Sequence, residues 1–156
     1  MTAIRIGPEA ALAEWIDPEA PFELVELTAL MRDAYMRLDD HGVSGNCWEA
    51  SGLVALAARQ RGFPEATWEA VSQRGDHHVV CRAGKWWCDP TSEQFGFDGP
   101  WVFETVDLGL FFDERRSDHL PPLSYQMLQS RFETRGGFGE PAVPGLYRSV
   151  GLDPPW

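Results

Sequence analysis

The sequence predicts an α+β fold, because two hydrophobic periods follow one another along the chain. Between residues 22 and 59, apolar residues recur at the three-and-four spacing of buried helix faces. Residues 67–89 instead hold β-branched and aromatic runs separated by short turns that contain Gly. The chain has 156 residues, 44% of them hydrophobic and 12% aromatic. This length suits one core, so we predict a single domain over residues 1–156.

Helices are predicted in the N-terminal part, residues 1–45. Pro8 suits the first position of a short helix that runs through Ala10 to Trp15. A longer helix is predicted over about Phe22 to Leu38. Its buried face would consist of Leu24, Leu27, Met31, Ala34 and Leu38.

A further helix is predicted to begin at Cys47. Asn46 is a good N-cap, and Glu49 can reach back to the Asn46 amide, which together form a capping box. Cys47 then occupies the first helical position. We expect this helix to be central and buried, and to end at Gly62; its apolar face would be Leu53, Leu56 and Ala57.

Strands are predicted from Thr67 to Gln73 and on both sides of Ala83-Gly84, which reads as a two-residue hairpin loop. Counting outward from that loop sets Val79 opposite Cys88 and His78 opposite Asp89. Opposed residues have Cβ atoms about 5 Å apart, so a carboxylate there can accept the imidazole N–H. The prediction depends on this register.

The remainder is predicted with less regular structure. Trp101 to Val106 reads as another strand, and Ser124 to Phe132 as a short helix. The segment from Gly136 to Trp156 is rich in Gly and Pro. We therefore assign a core to residues 46–106 and an irregular C-terminal part with a short helix to residues 107–156.

Charge bears on partners and location. The chain has 13 basic and 24 acidic residues, a net charge of −11, which disfavours phosphate backbones and anionic membranes. No apolar run approaches the roughly 20 residues of a membrane span, and the first 18 residues lack a signal-peptide layout. We expect a soluble, cytoplasmic protein with no nucleic-acid or membrane partner.

The predicted helix start and hairpin bring together three residue types used in thiol catalysis. The amides of a first helical turn stabilise the thiolate of Cys47, and the carboxylate of Asp89 would orient His78 and stabilise its imidazolium. Each residue also has a structural reading, as a buried apolar thiol, a hydrogen-bonded strand histidine and a turn opener before Pro90. The combination predicts a cysteine-dependent hydrolase or acyl transferase with catalytic residues Cys47, His78 and Asp89 and with no cofactor.

Two stretches also resemble known families. Asn46-Cys47-Trp48-Glu49-Ala50-Ser51 resembles the nucleophile helix of papain-like cysteine peptidases. Residues 78–95, which read HVVCRAGKWWCDPTSEQF, resemble the His-to-Asp hairpin of the papain-fold toxin (glutamine deamidase) family and of transglutaminase-like domains. The resemblance covers about a third of the chain.

The resemblance implies a papain-like or transglutaminase-like core, with a nucleophile helix packed on a small antiparallel sheet. Cys47 would be the nucleophile, His78 the general base and acid, and Asp89 the orienter. It implies a toxin or effector with a protein substrate, a cognate inhibitor or immunity protein, and delivery by a non-classical secretion route. Papain-like peptidases carry a Gln shortly before the nucleophile, and residues 39–43 hold none. The second oxyanion donor therefore stays open among His41, Asn46 and Gln94.

Several functions stay open at this stage. A thiol enzyme with this triad could be a glutamine deamidase, which the resemblance favours, a cysteine peptidase or a transglutaminase. A zinc-binding protein is a second class, since His77, His78, Cys81 and Cys88 are ligand types. Alternation along the strand sends His77 and His78 to opposite faces, however, and we expect no metal and reduced, diagonally placed Cys81 and Cys88. A non-catalytic protein-binding module is the third class.

Overall fold

The computed structural model describes residues 15–39, 47–73, 75–92, 100–115, 120–134 and 143–154. In that part of the chain the helices are α1 (Phe22–Asp39), α2 (Cys47–Arg59), α3 (Tyr125–Thr134) and α4 (Val143–Ser149), with a 3₁₀ helix at Thr105–Leu110. The strands are β1 (Trp15–Ile16), β2 (Thr67–Gln73), β3 (Asp76–Ala83), β4 (Trp86–Asp89), β5 (Trp101–Glu104) and β6 (Glu114–Arg115). The α+β class is confirmed.

The strands form one mixed sheet in the order β1-β5-β4-β3-β2-β6. β1 and β5 run parallel and the other neighbours antiparallel, so the antiparallel sheet that the resemblance implied is only partly correct. Trp15, predicted to end a helix, pairs with Trp101 instead. Its amide donates to the Pro100 carbonyl at 3.1 Å and its ring is buried, which shows that sheet pairing determines its conformation. The rest of that predicted helix lies outside the described residues.

The two central helices follow the prediction closely. α1 buries Leu24, Leu27, Met31 and Ala34. α2 begins at Cys47, and all of its residues from Glu49 to Ala58 are buried. After it, Gly62 has a φ of +101°, which lets the chain reverse towards β2. Asn46, the predicted N-cap, lies outside the described residues.

The β3–β4 hairpin has a different register from the predicted one. The paired residues are Ala83 with Trp86, Arg82 with Trp87, and Cys81 with Cys88. The loop is therefore Gly84-Lys85, and Gly84 has a φ of +63°. A left-handed residue is needed at the first position of such tight loops, where glycine fits without strain, whereas the prediction placed Gly84 second.

This change of register corrects two predictions. Cys81 and Cys88 are directly opposed rather than diagonal. His78 is not directly opposite Asp89, because continuing the pairing past Cys81 sets Val80 opposite Asp89 and leaves His78 diagonal to it. The partners moved by two places, an even number, so every side chain keeps its predicted face of the sheet.

Two cores lie on the two faces of the sheet. The helix-side core, between α1, α2 and the sheet, consists largely of aliphatic and small residues, among them Leu53, Val54, Ala57, Val79, Cys81, Cys88 and Val102. The aromatic cluster on the other face consists of Trp15, Val71, Val80, Trp87, Trp101, Phe103, Phe111 and Phe112. α2 packs against β3 in the helix-side core, and the chain that follows β5 covers the aromatic cluster.

The C-terminal part is more ordered than predicted. The predicted helix near Ser124 is present as α3, and the Ser124 hydroxyl accepts a hydrogen bond from the Met127 amide as an N-cap does. α4 was not predicted, and its Leu146 and Tyr147 are buried. The prediction that residues 107–156 are irregular apart from one short helix is thus wrong for residues 143–149. Pro144 does not prevent this helix, because it falls in the first turn of α4, where proline is tolerated. Among the described residues, no helix has the length and apolar character needed to cross a membrane.

Candidate active site

The site is centred on a buried histidine and carboxylate. His78 Nε2 lies 2.9 Å from Asp89 Oδ2, and both side chains are completely buried. The predicted partnership is therefore present, although the two residues are diagonal rather than directly opposed. A diagonal pair on one face of a sheet remains within reach when one side chain is as long as histidine.

Hydrogen bonds from Thr91 fix the orientation of the Asp89 carboxylate. Its second oxygen, Oδ1, accepts the amide of Thr91 at 3.0 Å and the Thr91 hydroxyl at 3.4 Å. Aspartate makes this turn-forming contact two residues along the chain. Sequence reasoning missed the role of Thr91, although Asp-Pro-Thr is a turn signal that could have indicated it.

Cys47 reaches the site from the start of α2. One turn further along the helix, the buried Ser51 hydroxyl donates to the Val79 carbonyl at 3.0 Å, which fixes the helix to the strand that carries His78. The Cys47 thiol is hydrogen-bonded to the His78 imidazole and helps to raise the pKa of that ring. Because Nε2 faces Asp89, Nδ1 is the nitrogen left for the thiol.

The balance of these interactions keeps His78 protonated at neutral pH. Burial on its own lowers the pKa of the imidazole, because a charged ring loses its solvation. The charge and hydrogen bond of Asp89, together with the Cys47 thiol, outweigh burial and raise the pKa of His78 from 6.5 to about 10. The aromatic ring of Phe112 packs 5.9 Å from the imidazole and helps to enclose it.

The residues beside Cys47 and His78 also contact one another. Trp48 follows Cys47, His77 precedes His78, and their rings stack with centroids 6.0 Å apart. Trp68 meets the same indole edge-on at 5.3 Å. His77 is exposed, in agreement with its predicted position on the face opposite His78.

Three predicted donors cannot be placed. His41, Asn46 and Gln94, proposed as second oxyanion donors, lie outside the described residues. The backbone N–H of Cys47 lies at the first position of α2, where helix amides have no acceptor within the helix.

The other two cysteines are buried, unbridged thiols in the helix-side core. A hydrogen bond from Cys88, with burial, raises the pKa of Cys81 well above its usual range. Across the part of the chain that the structure describes, no three His, Cys, Asp or Glu side chains are grouped to hold a metal ion.

No protein-family model, no curated protein and no solved structure matches this chain.

Proposed function

We propose that this chain is a cysteine-dependent hydrolase of papain-like arrangement that deamidates glutamine side chains in proteins. One observation carries the proposal: His78 contacts the Asp89 carboxylate at 2.9 Å and also the Cys47 thiol at the start of α2. A nucleophile, an acid–base group and an orienting carboxylate are the parts that acyl transfer by a thiol requires. The choice of glutamine follows the family resemblance of residues 78–95.

The first half of the reaction uses His78 as an acid. The Cys47 thiolate attacks the carboxamide carbon, so that a C–S bond forms and the carbonyl oxygen takes the negative charge. The Cys47 backbone N–H stabilises that oxygen. The oxyanion then collapses, the C–N bond breaks, and His78 gives its proton to the departing nitrogen, which leaves as ammonia.

The second half uses the same ring as a base. Forming the thioester removes the thiolate, one of the groups that raise the pKa of His78, and this change favours the neutral ring that the next step needs. Water attacks the thioester carbon while His78 takes its proton. The C–S bond breaks, a carboxylic acid is released, and the returned proton restores the imidazolium beside the thiolate.

Alkylation with iodoacetamide at pH 7 tests the pair directly. We expect Cys47 to be labelled faster than Cys81 and Cys88, because those thiols are completely buried, whereas the Cys47 thiol contacts the imidazolium of His78. His78→Ala should slow labelling of Cys47 by about tenfold or more. Peptide mass mapping identifies the labelled residue.

His77→Ala is the matched control, since it removes a neighbouring histidine of the same strand whose side chain stacks on Trp48 rather than facing Asp89. Labelling should stay within about twofold of the wild type in that variant. Slow labelling of Cys47 in the wild type, unchanged by His78→Ala, would contradict the proposal.

Intact-mass spectrometry of incubated proteins then tests the reaction type. Hydrolysis of a carboxamide adds about one dalton without cleavage, and the gain should disappear with Cys47→Ala. Cleaved products would indicate a peptidase, and coupling to an added amine would indicate a transglutaminase.

A further inference from the structure

α3 is packed so that it runs alongside the nucleophile helix. Gly52 of α2 faces Leu128 of α3 at close range, because a Cβ at Gly52 would lie 2.8 Å from a Leu128 methyl unless that side chain shifted. Three residues earlier on α2 is Glu49, and three residues later on α3 is Arg131. Arg131 Nε donates to Glu49 Oε2 at 3.1 Å, so the later part of α3 lies beside the start of α2.

Arg131 also covers the residue next to the nucleophile. Its guanidinium carbon lies 4.1 Å from the centroid of the Trp48 ring. The His77 ring stacks on that indole as well. The guanidinium is thus next to the start of α2, and the Trp48 ring that it covers also contacts His77 of β3.

The two charges of the pair differ in their access to solvent. The Glu49 side chain is completely buried, whereas the Arg131 side chain is 26% exposed. The solvent-accessible charge of this pair is therefore that of Arg131, in a protein whose net charge is −11. A guanidinium held by Nε and stacked on an aromatic ring is well ordered for binding a carboxylate.

We propose that Arg131 is a specificity residue that binds a carboxylate of the substrate near the carbonyl that Cys47 attacks. The substrate class is then a protein with an acidic residue close to the target glutamine. This inference rests on the proposed function, since it assumes that Cys47 is the nucleophile. It gives the C-terminal part of the chain a role in substrate choice.

Two alkylating reagents of similar size test the charge without a known substrate. Iodoacetate is an anion and iodoacetamide is neutral, and the ratio of their rates with Cys47 measures the local preference for negative charge. Arg131→Met should lower that ratio by about threefold to fivefold, the range for one partly exposed charge pair. Arg131→Lys should retain most of it.

Arg61→Met is the matched control. Arg61 has a similarly exposed side chain and pairs with Glu26 at 2.7 Å, but it lies beyond the other end of α2, about 20 Å from Cys47 at 1.5 Å per residue. Both Met variants lose one positive charge. An equal ratio in the two variants, or equal slowing of both reagents in Arg131→Met, would overturn the inference.

Salt dependence of the wild type gives a second readout that does not require any variant to fold. The net charge alone would repel iodoacetate, so added salt would raise its rate relative to iodoacetamide. Attraction by a local cation predicts the opposite, a fall in the relative rate, and a rise would overturn the inference. Slow Cys47 labelling by both reagents would instead contradict the proposed function.

Discussion

The two faces of the sheet differ in composition and in what they contribute to the site. The helix-side core is built from aliphatic and small side chains around α2, and Cys47 lies at its margin with 7% of its surface exposed. The opposite face is packed with aromatic rings, and the completely buried His78 and Asp89 belong to it. The proposed nucleophile, Cys47, thus comes from one layer, and the proposed acid–base pair, His78 and Asp89, from the other.

Because of this difference, we expect substitution of Cys47 to change mainly the proposed reaction, and substitutions of His78 or Asp89 to change both the reaction and the stability of the fold. The Cys47 side chain is small and lies at the margin of its core, so its removal should affect the proposed reaction much more than the fold. The His78–Asp89 pair is enclosed by Phe112 on one side, and Trp101 pairs with Asp89 across the strands. Changes there should affect both properties, because a buried charge that loses its partner is strongly unfavourable.

The largest effect is expected from Cys47→Ala. Loss of the nucleophile should reduce deamidation by about 10⁴-fold or more. The free energy of unfolding should change by no more than about 1 kcal/mol, since a single small side chain at the margin of the core is removed. Denaturant titration and the mass assay measure the two quantities, and substantial remaining activity would refute the assignment of the nucleophile.

A substitution inside the aromatic cluster should instead have its main effect on the free energy of unfolding. Phe103 is completely buried and stacks on Phe111 at 4.1 Å, so Phe103→Ala should lower the free energy of unfolding by about 3 to 5 kcal/mol. Leu110→Ala is the control, because Leu110 is half exposed and should cost well under about 1 kcal/mol. Similar losses in the two variants would mean that this face is not a packed core.

Asp89→Asn tests how much the Asp89 carboxylate contributes to the raised pKa of His78. Removing the carboxylate charge should lower the pKa of His78 by about one to three units from its value of about 10. The proton should then leave the ring at lower pH, and NMR titration of the imidazole measures that shift. Thr91→Val is a milder control that keeps the charge and removes one hydrogen bond to it.

The same substitution has a consequence for stability. The pKa of His78 in the folded state lies above its unfolded value of 6.5. Protonated His78 therefore contributes its full stabilisation to the fold below pH 6.5, and this contribution is lost as the pH rises through about 10. The free energy of unfolding of the wild type should therefore fall between pH 7 and pH 10. The fall should be smaller in Asp89→Asn, and an equal fall would show that His78 is not the group responsible.

How much could be predicted depended on the range of the interactions. α1, α2 and the contact between His78 and Asp89 follow from local spacing, because the two-place shift in hairpin register leaves both residues on one face of the sheet. Two contacts between distant residues could not be predicted in this way, because no local sequence pattern indicates them. They are the parallel pairing of Trp15 with Trp101 and the contact of Glu49 with Arg131, which spans 82 residues. Capping reasoning directed Glu49 towards Asn46, and nothing nearby in the sequence indicates a partner on α3.

The smallest effect is expected within the helix-side core, from Gly52→Ala. The added methyl would meet a Leu128 methyl 2.8 Å away, and such overpacking costs about 1 to 3 kcal/mol, partly offset by the gain of about 1 kcal/mol from alanine in a helix. Gly145→Ala in α4 meets open space and should show the gain alone.

If overpacking pushes α3 away from α2, Arg131 moves with it, so Gly52→Ala should also reduce the preference of Cys47 for iodoacetate, and Leu128→Ala should restore it. A variant that loses stability but keeps the full preference would show that Arg131 is positioned independently of this helix contact.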